Sequence, residues 1–184
     1  MATTSDALAQ ALLQRLRSLN RVERGVLFRA AVIGRRFRLA LLSATTALSE
    51  ERVRAALESA CALQLVVAES DEWFAFRHAL TRDIAYDEFV ETRVRPIHRR
   101  IARVLEGCGE AHSGALDDLA YHSWAAGDAA RCIRYNELAG DRAAAVFATD
   151  DAQTYYNRAL DFAGANSEPH RRLTGKLSAL DVAD

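Results

Sequence analysis

The sequence predicts a mainly α-helical chain with one small β-hairpin, followed by antiparallel helices of a repeating type. Three observations predict it. Alanine, leucine and arginine dominate a 184-residue chain that is 50% hydrophobic and holds only 2 prolines, a composition suited to helices. Apolar residues recur at helical spacing through most of the chain, with one interruption between Leu65 and Phe76, where two β-rich runs flank a polar turn. Beyond Gly114 the sequence turns alanine-rich, with large residues at intervals, as expected of closely paired helices.

Each element follows from its local signals. Met1 to Ser5 is small and polar and is expected to fray. A first helix is expected from Asp6 to Arg17, with Leu8, Leu12, Leu13 and Leu16 on one face. Asn20 followed by Glu23 is a capping box, which starts a second helix over Arg21 to Ala31. Its Val22, Val26, Leu27 and Ala30 should face inward. Gly34 breaks the pattern, and Phe37 to Thr46 reads as a short third helix. Ser49 and two following glutamates open a fourth, ending near Gln64. Leu65 to Ala68 and Trp73 to Phe76 are the two strands of the hairpin. Helices resume over His78 to Phe89 and Glu91 to Glu106, and Gly107, Gly109 and Gly114 mark a boundary. Helices followed by a small hairpin is the order of a winged-helix domain. The division expected is residues 1–110 for that domain with its trailing helices and 111–184 for the repeat segment.

In the second segment Leu116, Leu119 and Ala120 precede Gly127-Asp128, then Cys132, Tyr135 and Ala139. This resembles a tetratricopeptide repeat: small residues where paired helices touch, a Gly-Asp turn, and an aromatic filling the gap. Ala152, Tyr155, Tyr156, Ala159 and Leu160 read as a second copy of its latter half, about 20 residues on, against a standard period of about 34. A last helix over Glu168 to Leu180 is expected to need a neighbour for Leu173, Leu177 and Leu180. The segment therefore reads as cut from a longer array.

Composition also narrows the function classes. A net charge of -1 gives no global attraction to nucleic acid or anionic membrane. Lys176 is the only lysine, and so strong an arginine bias reads as a GC-rich coding sequence rather than phosphate binding. No apolar run has the length of a membrane span and no signal-peptide pattern opens the chain, so a cytoplasmic location is expected. Cys61, Cys108 and Cys132 lack paired spacing and read as reduced thiols, two of them in the core. His98, His112, His122 and His170 show no zinc-type spacing, and no phosphate loop, nucleophile elbow or catalytic triad occurs. The expectation is a non-enzyme that holds no metal or cofactor of its own.

The stretch most suggestive of a site is Trp73-Phe-Ala-Phe-Arg-His-Ala-Leu-Thr-Arg-Asp-Ile-Ala-Tyr86, a strand running into a helix. His78 stands at the helix start, where an imidazole can donate to an anion beside free backbone N–H groups and the positive end of the helix dipole. Arg77 and Arg82 add charge, and phosphate oxygen is the natural partner. On position alone, a histidine there is more often a packed or capping residue.

Phe76 to Tyr86 resembles the winged-helix segment of STAND-type signalling ATPases, which include large LuxR-type transcriptional regulators and multidomain nucleotide cyclases. Ala30 to Phe37, Arg95 to Ala102 and Leu119 to Asp128 are similar to further recurrent stretches of those proteins, in the same order. The resemblance covers roughly Leu13 to Leu160. It implies that the winged helix packs on an upstream nucleotide-binding domain, where a histidine of a Met-His-Asp motif touches the diphosphate of ADP and holds the closed state. His78 matches that histidine, and Asp83-Ile84-Ala85 matches the Asp-Leu-Ala that follows it. Arg77 and Ala79 depart from the motif's methionine and aspartate. ADP or ATP is implied only for the domain upstream.

Two further surfaces enter the reading. A duplex-reading role for Ser49 to Gln64 is disfavoured, because Arg52 and Arg54 are outnumbered by Glu50, Glu51 and Glu58. Arg95, Arg99 and Arg103, with Arg93 and Arg100 near them, line a helix side opposite Ile97, Ile101, Val104 and Leu105. They read as a solvated face paired with Asp87, Glu88 and Glu91, or else as a docking surface for an acidic domain or a nucleotide phosphate. Tyr121, Trp124 and Tyr135 are the aromatic candidates for an interaction surface on the repeats. The function expected is thus a regulatory and protein-interaction segment of an ATP-dependent signalling or transcriptional regulator. It would couple an upstream nucleotide-binding domain to further helical repeats and an effector. The alternatives are a free-standing helical-repeat module that binds protein, or a DNA-binding winged-helix regulator.

Overall fold

A computed structural model describes residues 4–87, 94–107 and 115–181. Expectations that fall on Met1 to Thr3, Glu88, Phe89, Glu91, Arg93, Cys108, Gly109, His112 and Gly114 lie outside the described residues. The chain forms two compact units, Met1–Ile97 and His98–Asp184. The described residues are mainly helical, with a three-stranded antiparallel sheet in the first unit.

The first unit opens with α1 (Thr4–Ser18) and α2 (Arg21–Ile33). Asn20 starts α2 as its sequence suggests. Its Oδ1 accepts from the N–H groups of Val22 and Glu23 at 2.8 and 3.0 Å, and Glu23 Oε2 accepts from Asn20 N at 2.8 Å. Val26, Leu27 and Ala30 are buried, whereas Val22 and Leu8 face solvent. Each lies on its helix's apolar stripe but one turn ahead of the covered part, before Leu12 in α1 and before Val26 in α2.

The third helix is shorter than expected. Arg36–Arg38 form a strand, β1, and α3 spans only Leu39–Thr45. Tertiary pairing overrides helix propensity here. Phe37 lies opposite Phe74 in the sheet, their rings stacked at 6.2 Å, and Arg36 and Arg38 point the other way over Trp73. Helix α4 (Glu50–Ala62) follows, with β2 (Val66–Ala68) and β3 (Trp73–Phe76) after it. The two strands pair as a hairpin, but β1 joins the far side of β3, so the hairpin becomes a sheet of order β1-β3-β2. Leu12, Leu16, Leu27, Phe37, Leu57, Leu65, Phe74 and Phe76 form its core with α5 (Ala79–Asp87) laid against α1 and α2.

The second unit holds the part of α6 (Val94–Gly107) from His98 onward, then α7 (Ala115–Ala125), α8 (Ala129–Ala145), α9 (Thr149–Leu160) and α10 (Glu168–Asp181). The turns after α7 and α8 are the same motif. Gly127 and Phe147 adopt φ of 66° and 59°, and the N–H groups of Asp128 and Ala148 reach back to Ser123 O and Ala143 O. These are Schellman closures, which satisfy the last carbonyls of a helix through one left-handed residue.

Ala152 to Leu160 lie in α9, which packs on both α8 and α10. Helix α7 ends at Ala125 and α9 at Leu160, 35 positions later. Small residues let the helices approach: Ala143, Ala152 and Ala159 surround Tyr156 in a buried cluster. Leu173 is fully buried in the same cluster, with Leu177 and Leu180 half-buried against it. The leucines of α10 are therefore covered from within the unit.

Candidate functional site

Strand β3 delivers the chain to α5 with Phe76 buried and Arg77 N–H bonded to Leu65 O at 3.1 Å. The next residue, His78, is exposed, and its carbonyl accepts from Thr81 N at 3.1 Å and Arg82 N at 3.5 Å. His78 is thus the capping residue of α5, with its imidazole left to solvent. The N–H groups of Ala79 and Leu80 have no acceptor one turn back, as at any helix start. Arg77 is exposed beside it. The hydroxyl of Thr81, at 3% exposure, has no hydrogen-bond partner among the described residues.

Arg82, expected to add charge at this site, is turned away from it. Its Nε donates to Ala31 O at 2.9 Å, its Nη1 to Asp83 at 3.2 Å, and the guanidinium lies 5.1 Å over the Tyr86 ring. A cation on the last carbonyls of α2 is favoured by the negative end of the helix, so Arg82 ties α5 to α2. The structure brings His78 and Arg77 together at the surface and leaves Arg82 out.

The second group of expected residues divides similarly. Arg95, Arg99 and Arg103 are exposed on α6. Arg99 also donates to Ala126 O, beyond the end of α7, at 3.3 Å. Tyr135 was expected on an interaction surface and is instead 2% exposed. Its hydroxyl donates to Glu106 Oε1 at 2.7 Å, and burial together with that carboxylate pushes the phenol up to about 12. Glu106 also receives Arg131 at 2.9 Å, and the two hydrogen bonds, that of Tyr135 foremost, hold its carboxyl below the ordinary range. The reason is geometric: Tyr135 sits on the face of α8 that packs on Leu119 and Ala120 of α7.

Tyr121 and Trp124 are half-buried, 6.2 Å apart by ring centroid. Arg158 of α9 places its guanidinium 4.9 Å over Trp124 and 6.0 Å from the Tyr155 ring. No carboxylate pairs with Arg158 among the described residues. The sequence reading missed this residue, and the signal that finds it is a position one helix pair after Trp124.

Cys132 is buried and its thiol is pushed up to about 12, chiefly by burial, so it is unreactive. Cys61 is half-buried against the core of the first unit, and Cys108 lies outside the described residues. Among the described residues no cluster of three or more metal-binding side chains occurs, and no helix is long and apolar enough to cross a membrane. Compared with known proteins, the chain matches no family model, no curated protein and no solved structure.

Proposed function

We propose that this chain is a regulatory and protein-interaction segment of a STAND-type signalling ATPase, of the kind found in large LuxR-type regulators and multidomain cyclases. Its first unit is read as a winged helix that closes over an upstream nucleotide-binding domain, with His78 touching the diphosphate of ADP. Its second unit is read as the start of a tetratricopeptide-like array that receives an effector.

The observation that carries the reading is the state of His78. It caps α5 through its carbonyl, so its imidazole is not consumed by the fold and faces outward beside Arg77 and two free helix-start N–H groups. The element order α2, β1, α3, α4, β2, β3 with sheet order β1-β3-β2 supports a winged helix. The 35-position recurrence of helix ends supports tetratricopeptide-like pairing, whose period is about 34. Such a switch needs an interaction made in one state and lost in the other. An exposed donor at a domain surface suits that role.

A second reading has an observation of its own. The half-buried Arg158 over Trp124 and beside Tyr155 is an aromatic-lined cation on a repeat surface, and it suits a free-standing module that binds an acidic peptide. DNA binding has less support: Arg54 of α4 is held by Glu50 at 3.7 Å and by Asp71 O, and the exposed Arg52 stands among the exposed carboxylates Glu50, Glu51 and Glu58.

The test that separates these is the reading frame of the gene together with the nucleotide content of its purified product. A phosphate-loop domain upstream and co-purified ADP agree with the switch. A frame without such a domain removes it and leaves the module.

A further inference from the structure

His98 and His122 lie 24 positions apart in sequence and meet in the interior of the second unit. Each is 1% exposed, and their Nδ1 atoms are 2.6 Å apart. The rings are 4.9 Å apart and inclined by 38°, with Tyr121 edge-on to both at 5.6 and 5.2 Å. So short a separation requires one proton between the two nitrogens, one Nδ1 donating and the other accepting. That condition is met by the neutral pair. It is also met after one added proton, which goes to the remaining bare Nε2.

A second added proton cannot be accommodated. Both Nδ1 atoms would then carry hydrogen, and the bond would become two N–H groups facing each other in a buried place, each on a charged ring. Among the described residues, charged groups stand near the pair on three segments. Arg95 and Arg99 lie on α6 near His98, while Asp118 stands one turn before His122 on α7 and Asp128 precedes α8. Arg99 and Asp128 attract each other directly. On α8 the nearby titratable groups Cys132 and Tyr135 are both pushed up to about 12, so they stay neutral under mildly acidic conditions.

We propose that the His98–His122 pair is an acid-sensitive latch, which fastens α6 to α7 while it shares a proton and opens when both rings are charged. In the unfolded chain both imidazoles take up protons near pH 6.5. Below that pH the unfolded state binds at least one proton more than the latched state, so stability is present above it and lost as pH falls. One proton of difference lowers the folding equilibrium constant about tenfold per pH unit.

The test uses the whole 184-residue chain, labelled with nitrogen-15 at histidine and titrated from pH 8 to 5 alongside urea unfolding. At pH 7.5 one ring should show a protonated Nδ1 and the other a bare, accepting Nδ1. The unfolding midpoint should drop below about pH 6.5 as the latched spectrum disappears. Two rings with bare Nδ1 atoms at pH 7.5, or an unfolding midpoint level from pH 7 to 5, would overturn the proposal. H98N keeps an amide near the Nδ1 position and removes one titrating ring, so its midpoint should vary less with pH than that of the parent. An equal slope in H98N also overturns the latch. If H98N does not fold, the tautomer pattern of the parent chain decides.

Discussion

Gly140 of α8 lies so close to the ring of Tyr156 of α9 that a Cβ at position 140 would stand 2.6 Å from Cδ1 and 3.0 Å from Cζ. The ring has little room to yield. Tyr156 is 3% exposed and its hydroxyl is tied to Asp141 at 2.8 Å. Gly140→Ala gains about 1 kcal/mol of helix propensity but overpacks the contact by about 1–3 kcal/mol. The net effect expected is destabilisation by up to about 2 kcal/mol in urea unfolding. Tyr156→Leu in the same chain should remove most of the added cost, and a double-mutant cycle measures that coupling.

Phe147 gives the opposite sign. It is 90% exposed at φ 59°, in the turn position that Gly127 fills one helix earlier. A left-handed backbone costs a residue with a side chain about 1 kcal/mol, and the exposed ring returns little by burial. Phe147→Gly is expected to stabilise the second unit by about 0.5–1 kcal/mol. Calorimetry of the two chains reads the difference.

Glu137 sets an acid limit through a different element. It takes Arg172 at 2.7 Å and Lys176 at 2.8 Å, fastening α10 to α8. The Arg172 hydrogen bond, foremost, holds its carboxyl at about 2. A lowered carboxyl contributes stability that is complete above the ordinary glutamate value near 4.3 and is lost as pH falls toward the folded one. The urea midpoint should therefore fall between about pH 4.5 and 2, and Glu137→Gln should flatten part of that fall. Glu106 and Asp128, also lowered by Arg131 among other partners, keep a residual slope.

How much of this was legible in the sequence depends on the range of the interaction. Asn20 and Glu23 announce α2 because the capping box closes within four residues. β1 could not be read that way: Phe37 is extended because Phe74, far along the chain, pairs with it. Tyr135 looks like a surface aromatic by spacing until Glu106 and Leu119 are brought against it. His98 and His122 fall outside any short-range motif, and only the packing of α6 on α7 joins them. His78 was legible because strand, cap and helix are contiguous. The contacts of Arg82 were not legible, because its acceptor, Ala31 O, belongs to another helix.

The central claim is that His78 reads the diphosphate of ADP for the closed state. The most direct measurement is the rate of ADP release from the full-length parent, comparing the native protein with its His78→Ala variant. Loss of a hydrogen bond to a charged group, worth about 1.5–3 kcal/mol, should speed release roughly tenfold or more. Equal release rates in the two proteins would contradict it.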